Sequence, residues 1–135
     1  MQRDDLKPKW DESPELREEI DRELRNWSVW SRGGRPELGY PSEQPFSKSP
    51  QQPGPPCDIA QAENTESSLI LWRLLARDLD EDRRQHNVKL ITAIKLHYLS
   101  DRAAHTKAKM LHVSRPTFYR MIEEARFRYW VISSA

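Results

Sequence analysis

The stretch RAAHTKAKMLHVSRPTFYR, residues 102–120, constrains the fold of this chain more than any other part of the sequence. Ala108 is small where two helices would cross, and Leu111 and Val113 are apolar on either side of a turn. Ser114 suits the start of the next helix, because its hydroxyl can accept a hydrogen bond from a backbone N–H that the helix leaves unpaired. The spacing therefore predicts two helices joined by a tight turn, a helix-turn-helix.

The second helix of this motif is expected to have one apolar side and one polar, basic side. Phe118 and Met121 are spaced so that both face the first helix. The opposite side suits phosphates and base edges in a DNA major groove. The candidate DNA-binding residues on it are Ser114, Arg115, Pro116, Tyr119 and Arg120, with Thr117 at its border. Lys107 and Lys109, on the first helix, are further candidates for contacts with the DNA backbone.

An ordinary helical hairpin with a solvated basic face is the alternative interpretation of this motif. Arg115 and Arg120 carry the DNA-binding hypothesis, because arginine matches guanine and phosphate best. Ser114 and Thr117 equally suit a helix cap. His112 stands at the turn position where the backbone tends to need a positive φ, which histidine tolerates at a small cost in strain.

Charge is distributed unevenly between the two halves of the chain. Residues 1–63 hold 9 Lys and Arg against 13 Asp and Glu, a net charge of −4, whereas residues 64–135 hold 13 against 8, a net charge of +5. The basic half contains the helix-turn-helix, as nucleic-acid binding requires. We expect a cytoplasmic protein without a membrane span, because the start is polar and no apolar run is long enough to cross a bilayer.

Composition divides the chain into three segments and predicts a mainly α fold. Residues 1–32 contain an amphipathic helix from Ser13 to Ser31, which Gly33 and Gly34 end. Residues 33–63 form a Pro/Gly-rich irregular segment and linker, with every glycine and seven of the ten prolines. Residues 64–135 form a small helix-turn-helix domain.

Four helices are expected in the third segment. The first is capped by Ser67 or Ser68, and the run 78–84 marks its end and a loop. The second covers 87–99 with Val88 among its inward residues, the third covers 102–111 after a Ser100-Asp101 cap, and the fourth covers about 115–132.

The sequence contains no arrangement typical of catalysis. The four histidines lack metal-ligand spacing, and the acidic run 78–82 beside Arg83 and Arg84 favours a solvated loop. We therefore expect a protein that is not an enzyme and that carries no metal or cofactor.

Two sets of motifs resemble known families. The block YLSDRAAHTKAKMLHVSRPTFYRMIEEA resembles the promoter-reading helix-turn-helix of sigma factors, which implies a sigma-region-4-like domain. The N-terminal motifs resemble the phage-type Q antitermination proteins, including prophage versions. These motifs are Trp27-x2-Trp30, Arg32-Gly33-Gly34, Leu38-Gly39-Tyr40-Pro41 and Pro45-Phe46.

The second resemblance implies a function in transcription. Such proteins bind a DNA element beside a late promoter, engage RNA polymerase held in a sigma-dependent pause, and then travel with it to suppress pausing and termination. The implied partners are double-stranded DNA and bacterial RNA polymerase with its sigma factor; a second copy of the chain on DNA is a further candidate partner, whose number the sequence does not give. The zinc site of some relatives is excluded by the single cysteine, Cys57.

The aromatic residues of the N-terminal half are candidates for contact with polymerase, because aromatic side chains are favoured at interface hot spots. These residues are Trp27, Trp30, Tyr40 and Phe46. A place in the core is an equally weighted alternative for the two tryptophans. Two other functions stay open: an activator or repressor acting only at initiation, and an adaptor whose helix-turn-helix binds protein alone, which the charge distribution disfavours.

Overall fold

A computed structural model describes residues 3–36 and 55–134 of the chain, with side chains for 6–34 and 55–134. The described part is mainly helical, as the sequence predicts. Its helices are α1 (Arg3–Glu12), α2 (Pro14–Ser31), α3 (Ile59–Ala76), α4 (Glu81–Leu99), α5 (Ala104–Met110) and α6 (Arg115–Ser133). Two short parallel strands, β1 (Arg35–Pro36) and β2 (Pro56–Cys57), pair Arg35 with Pro56 and Pro36 with Cys57.

The predicted limits of α2 are confirmed. Ser13 caps the helix by accepting a hydrogen bond from the Leu16 backbone N–H at 3.2 Å, and Pro14 occupies the first helical position. At the other end Gly33 adopts φ +95°, which glycine reaches without steric cost. Gly34 allows a close approach, because a Cβ there would lie 2.8 Å from Val29 Cγ1 and 2.9 Å from Cys57 Sγ.

The start of α3 corrects the sequence-based boundaries. The helix begins at Ile59 with Asp58 as its N-cap, and neither Ser67 nor Ser68 caps it. The third segment therefore begins before residue 64, and the predicted irregular segment 33–63 includes the first turn of α3. Tertiary contact explains the early start: Asn26 of α2 donates to the Asp58 carbonyl at 2.9 Å and accepts from its N–H at 2.8 Å.

Two further helix starts differ from the prediction. α4 begins at Glu81 rather than at residue 87, because Asp80 caps it and the acidic run forms its first turn. α5 begins at Ala104, and its N-cap position, Ala103, provides no side-chain cap. Ser100 instead follows the end of α4 and accepts a hydrogen bond from the Arg102 N–H at 3.2 Å.

α1 was not predicted as a helix, yet it contributes to the core. Trp10 is only 1% exposed; its ring stacks on Trp130 of α6 at 5.6 Å and lies 5.9 Å from the Phe127 ring. Burying an aromatic side chain of this size stabilises the fold substantially. The N-terminal helices therefore belong to the same hydrophobic core as the helix-turn-helix.

α6 is the central helix of the described structure, since it contacts each of the five other helices. Phe118 and Met121, which the sequence places on its inner side, are buried, and so are Ile122, Ala125, Tyr129 and Trp130 on the same side. Val88 of α4, which was also expected inside, is instead 41% exposed. The placement of α6 fixes the position of the motif at its N-terminus.

Candidate nucleic-acid interface

The turn between α5 and α6 has the hydrogen bonds of a Schellman motif. The Val113 N–H donates to the Ala108 carbonyl at 3.0 Å, and the His112 N–H donates to the Lys109 carbonyl at 3.0 Å. His112 adopts φ +58°, as its position in the motif predicts. Ala108, the small residue that the sequence singled out, is buried beside this turn.

The first turn of α6 is held by its own side chains. Ser114 accepts a hydrogen bond from the Thr117 N–H at 3.3 Å, and its hydroxyl donates to Thr117 Oγ1 at 2.8 Å. Ser114 is therefore a helix cap, and Thr117 is half-buried and engaged with it. The cap occupies the Thr117 N–H, and Pro116 has no N–H, so the two hydroxyls are engaged in holding the first turn of α6.

The outward side of α6 carries cations that no described residue neutralises. Arg115 and Arg120 are exposed and make no ion pair or hydrogen bond within the described residues. Arg126 and Arg128, further along the same helix, are paired with Asp21 and Glu124 respectively. Pro116 and Tyr119 lie exposed beside the two unpaired arginines, whereas Phe118 is fully buried. The predicted division of α6 into an apolar and a basic side is confirmed.

The two lysines of α5 differ in their surroundings. Lys109 is exposed, as a contact with a DNA backbone requires. Lys107 is only 8% exposed, and its Nζ donates to the His97 carbonyl at 3.3 Å. Lys107 is therefore not on the exposed side with the other candidates, because its charged end is directed towards the end of α4.

The distribution of charge along the motif also predicts an exposed basic surface here. Between Asp101 and Glu123 the chain has five Lys and Arg residues and not one Asp or Glu. One of the five, Arg102, was not among the predicted site residues; its Nη1 lies 4.0 Å from Met110 Sδ, at the end of α5 nearest the turn. Counting charges over the motif, rather than over half the chain, would have added Arg102. We call the exposed surface of Arg102, Lys109, Arg115, Tyr119 and Arg120 the basic surface.

The aromatic candidates for polymerase contact are placed differently from one another. Trp27 is 2% exposed and its Nε1 donates to Glu66 Oε2 at 2.6 Å, so it is a core residue and provides no surface for a partner. Trp30 is half-buried and packs against the core with part of its ring accessible. Tyr40 and Phe46 lie outside the described residues.

A polar cluster fixes the helix-turn-helix to the N-terminal helices. Tyr98 donates to Asp21 Oδ1 at 2.6 Å, and Arg126 contacts the same oxygen at 3.1 Å. Burial opposes ionisation of Asp21, but hydrogen bonds from Arg25 and Tyr98 and the charge of Arg126 hold its pKa below the ordinary value. Burial next to these cations lowers the pKa of His97 to about 4, so this ring is neutral at pH 7.

Comparison with known proteins yields no match: no family model, no curated protein and no solved structure is similar to this chain. Among the described helices, none is long and apolar enough to cross a membrane. The described residues also contain no group of three or more His, Cys, Asp or Glu side chains that could hold a metal ion.

The strained turn residue provides a test of the local geometry. We expect His112→Gly to leave the free energy of unfolding unchanged or to raise it by up to about 1 kcal/mol, because glycine adopts a positive φ without steric cost. His112→Val should lower it by about 1–2 kcal/mol, because a branched side chain crowds the backbone in this conformation. Denaturant unfolding measures both, and a destabilising glycine with a neutral valine would contradict the turn.

Proposed function

We propose that this chain is a transcription antitermination factor with a sigma-region-4-like helix-turn-helix. It binds a promoter-proximal DNA element, loads onto paused, sigma-containing RNA polymerase, and suppresses pausing and termination so that late genes are expressed. The observation that carries the DNA-binding part is the pair of exposed, unpaired arginines at the start of α6. The resemblance of the N-terminal motifs to phage-type Q proteins supports the antitermination part.

The geometry at the start of α6 supports insertion of this end into a major groove. The buried side of the helix, with Phe118, Met121 and Ile122, fixes its orientation, so the groove would meet the opposite side. Tyr119 lies between the two arginines in the sequence. It is 47% exposed and therefore available for a sugar or base contact. Because Pro116 has no N–H and the Thr117 N–H is bonded to Ser114, phosphate contacts at this end of α6 would come mainly from side chains.

The charge of the motif supports the same conclusion. Lys109 lies in the last turn of α5, and Arg102, which precedes α5, reaches Met110 at the end of that helix, so both extend the cations of α6 across the turn. A surface that neutralises several phosphates releases condensed counterions, and its affinity then falls steeply with salt. The basic surface is small, which favours a modest DNA affinity that polymerase contacts supplement.

Trp30 supports the polymerase contact, although Trp27 does not. Its ring is partly accessible at the end of α2, close to Arg32, whose guanidinium donates to the Tyr98 carbonyl. A partner that contacts this end of α2 would lie near the loop that leads into α5. One molecule would then contact DNA and polymerase at the same time through different residues.

Replacing the two arginines tests DNA binding. We expect Arg115→Ala and Arg120→Ala each to cost about 1–3 kcal/mol in binding to a duplex enriched from a random-sequence pool, and to lower the salt slope by about 1 each. Fluorescence anisotropy across a salt series measures both quantities, and circular dichroism checks that the helices persist. Arg22→Ala, at an exposed position on α2, is the matched control and should change neither. Normal binding by the double variant would rule out the basic surface as the DNA contact.

Transcription in vitro separates antitermination from the alternative of an activator or repressor at initiation. The template carries a promoter, the enriched duplex sequence beside it and a terminator far downstream. Read-through that requires both the protein and the duplex sequence is the expected result. A change in initiation frequency with unchanged termination would select the alternative function.

A further inference from the structure

α3 presents an apolar face that no described residue covers. Four large aliphatic side chains on it are about half exposed: Ile70 (52%), Leu71 (44%), Leu74 (46%) and Leu75 (50%). Their spacing places them along one side of the helix, opposite the buried Leu69, Trp72 and Ala76. Contiguous exposed apolar surface of this kind marks a site of association rather than a free surface. We call these four residues the α3 face.

The apolar surface continues beyond α3. Leu75 also lines a groove of about 160 Å³ between α3 and the C-terminal end of α6. Leu79, Val131 and Ile132 form much of the rest of its wall, and each of the three is half-buried. The exposed apolar surface of α3 therefore extends through Leu75 towards α6.

The charges beside the α3 face are complementary to those of a second copy. Glu63 and Arg77 each lie seven residues from Ile70, one before it and one after it, which places all three on the same side of α3. Both are exposed, and neither makes an ion pair within the described residues. Two antiparallel α3 helices crossing near Ile70 would put Glu63 of each copy beside Arg77 of the other. A parallel arrangement would put like charges together.

We propose that two copies of this chain associate through the α3 face, with the two α3 helices antiparallel and the two Ile70 side chains nearest the two-fold axis. The same patch then serves both copies, as a two-fold dimer requires. Leu71 and Leu74 are withdrawn from water at the contact, and the two Glu63–Arg77 pairs set its direction.

This surface lies away from the basic surface. Val131, at the groove, and Arg115 are sixteen residues apart on the same helix, which corresponds to about 24 Å along α6. Association through the α3 face therefore leaves the start of α6 accessible in each copy. The proposal does not depend on DNA binding and is tested without DNA.

Molar mass in solution tests the dimer directly. Light scattering on the full chain over about 1–100 µM should give twice the 16.0 kDa of one chain at the upper concentrations. Leu71→Glu with Leu74→Glu should give the mass of one chain, or a dissociation constant raised about tenfold or more. Met110→Glu is the matched control, since Met110 is equally exposed at 49% but lies on α5, and it should leave the mass unchanged.

Charge reversal tests the direction of the two helices and also covers the case in which the glutamate variant fails to fold. Glu63→Arg and Arg77→Glu should each weaken association, and the chain with both changes should recover it. A wild-type chain that stays monomeric throughout the range overturns the proposal. So does a dimer that the Leu71→Glu, Leu74→Glu chain retains, or a charge-reversed pair weaker than either single change.

Discussion

The structure depends on the burial of one side of α6. The five other helices of the described residues all contact this helix, and its buried side chains run from Phe118 near its start to Trp130 near its end. Because the apolar side is enclosed, the opposite side faces solvent at the N-terminal end, where Arg115 and Arg120 lie. The orientation of the basic surface is thus a consequence of hydrophobic burial elsewhere in the same helix.

Polar contacts between the helices also help to fix their relative orientation around this buried side. Asp21 holds both Tyr98 and Arg126, which ties α2 to α4 and α6. On the other side of the core Tyr129 donates to Glu23 at 3.1 Å and lies 2.9 Å from Thr65 Oγ1, which ties α6 to α2 and α3. Buried polar groups that are all paired favour one arrangement of the helices over its alternatives. The N-terminal half therefore supports the geometry of the C-terminal motif.

The sequence predicted those structural features that depend on residues close together along the chain. The Ser13 and Ser114 caps, the positive φ at His112 and the inward side of α6 follow from side-chain chemistry and helical spacing. Features that depend on contacts between residues far apart in the sequence were missed or predicted at the wrong position. α3 starts early because Asn26 holds Asp58, α1 is ordered by the burial of Trp10 against Trp130, and Lys107 is directed inward to the His97 carbonyl. The exposed α3 face was likewise not predicted, because a leucine-rich helix is expected to be buried.

In the proposed complex the start of α6 would enter a DNA groove while the rest of the helix stays in the core. Hydrogen–deuterium exchange of the full chain, with and without the duplex enriched from a random pool, tests it most directly. We expect slower exchange confined to residues 102–120 in the complex and unchanged exchange over 121–133, whose buried side lies in the core in both states. Protection that fell elsewhere, with residues 102–120 exchanging as in the free chain, would contradict it.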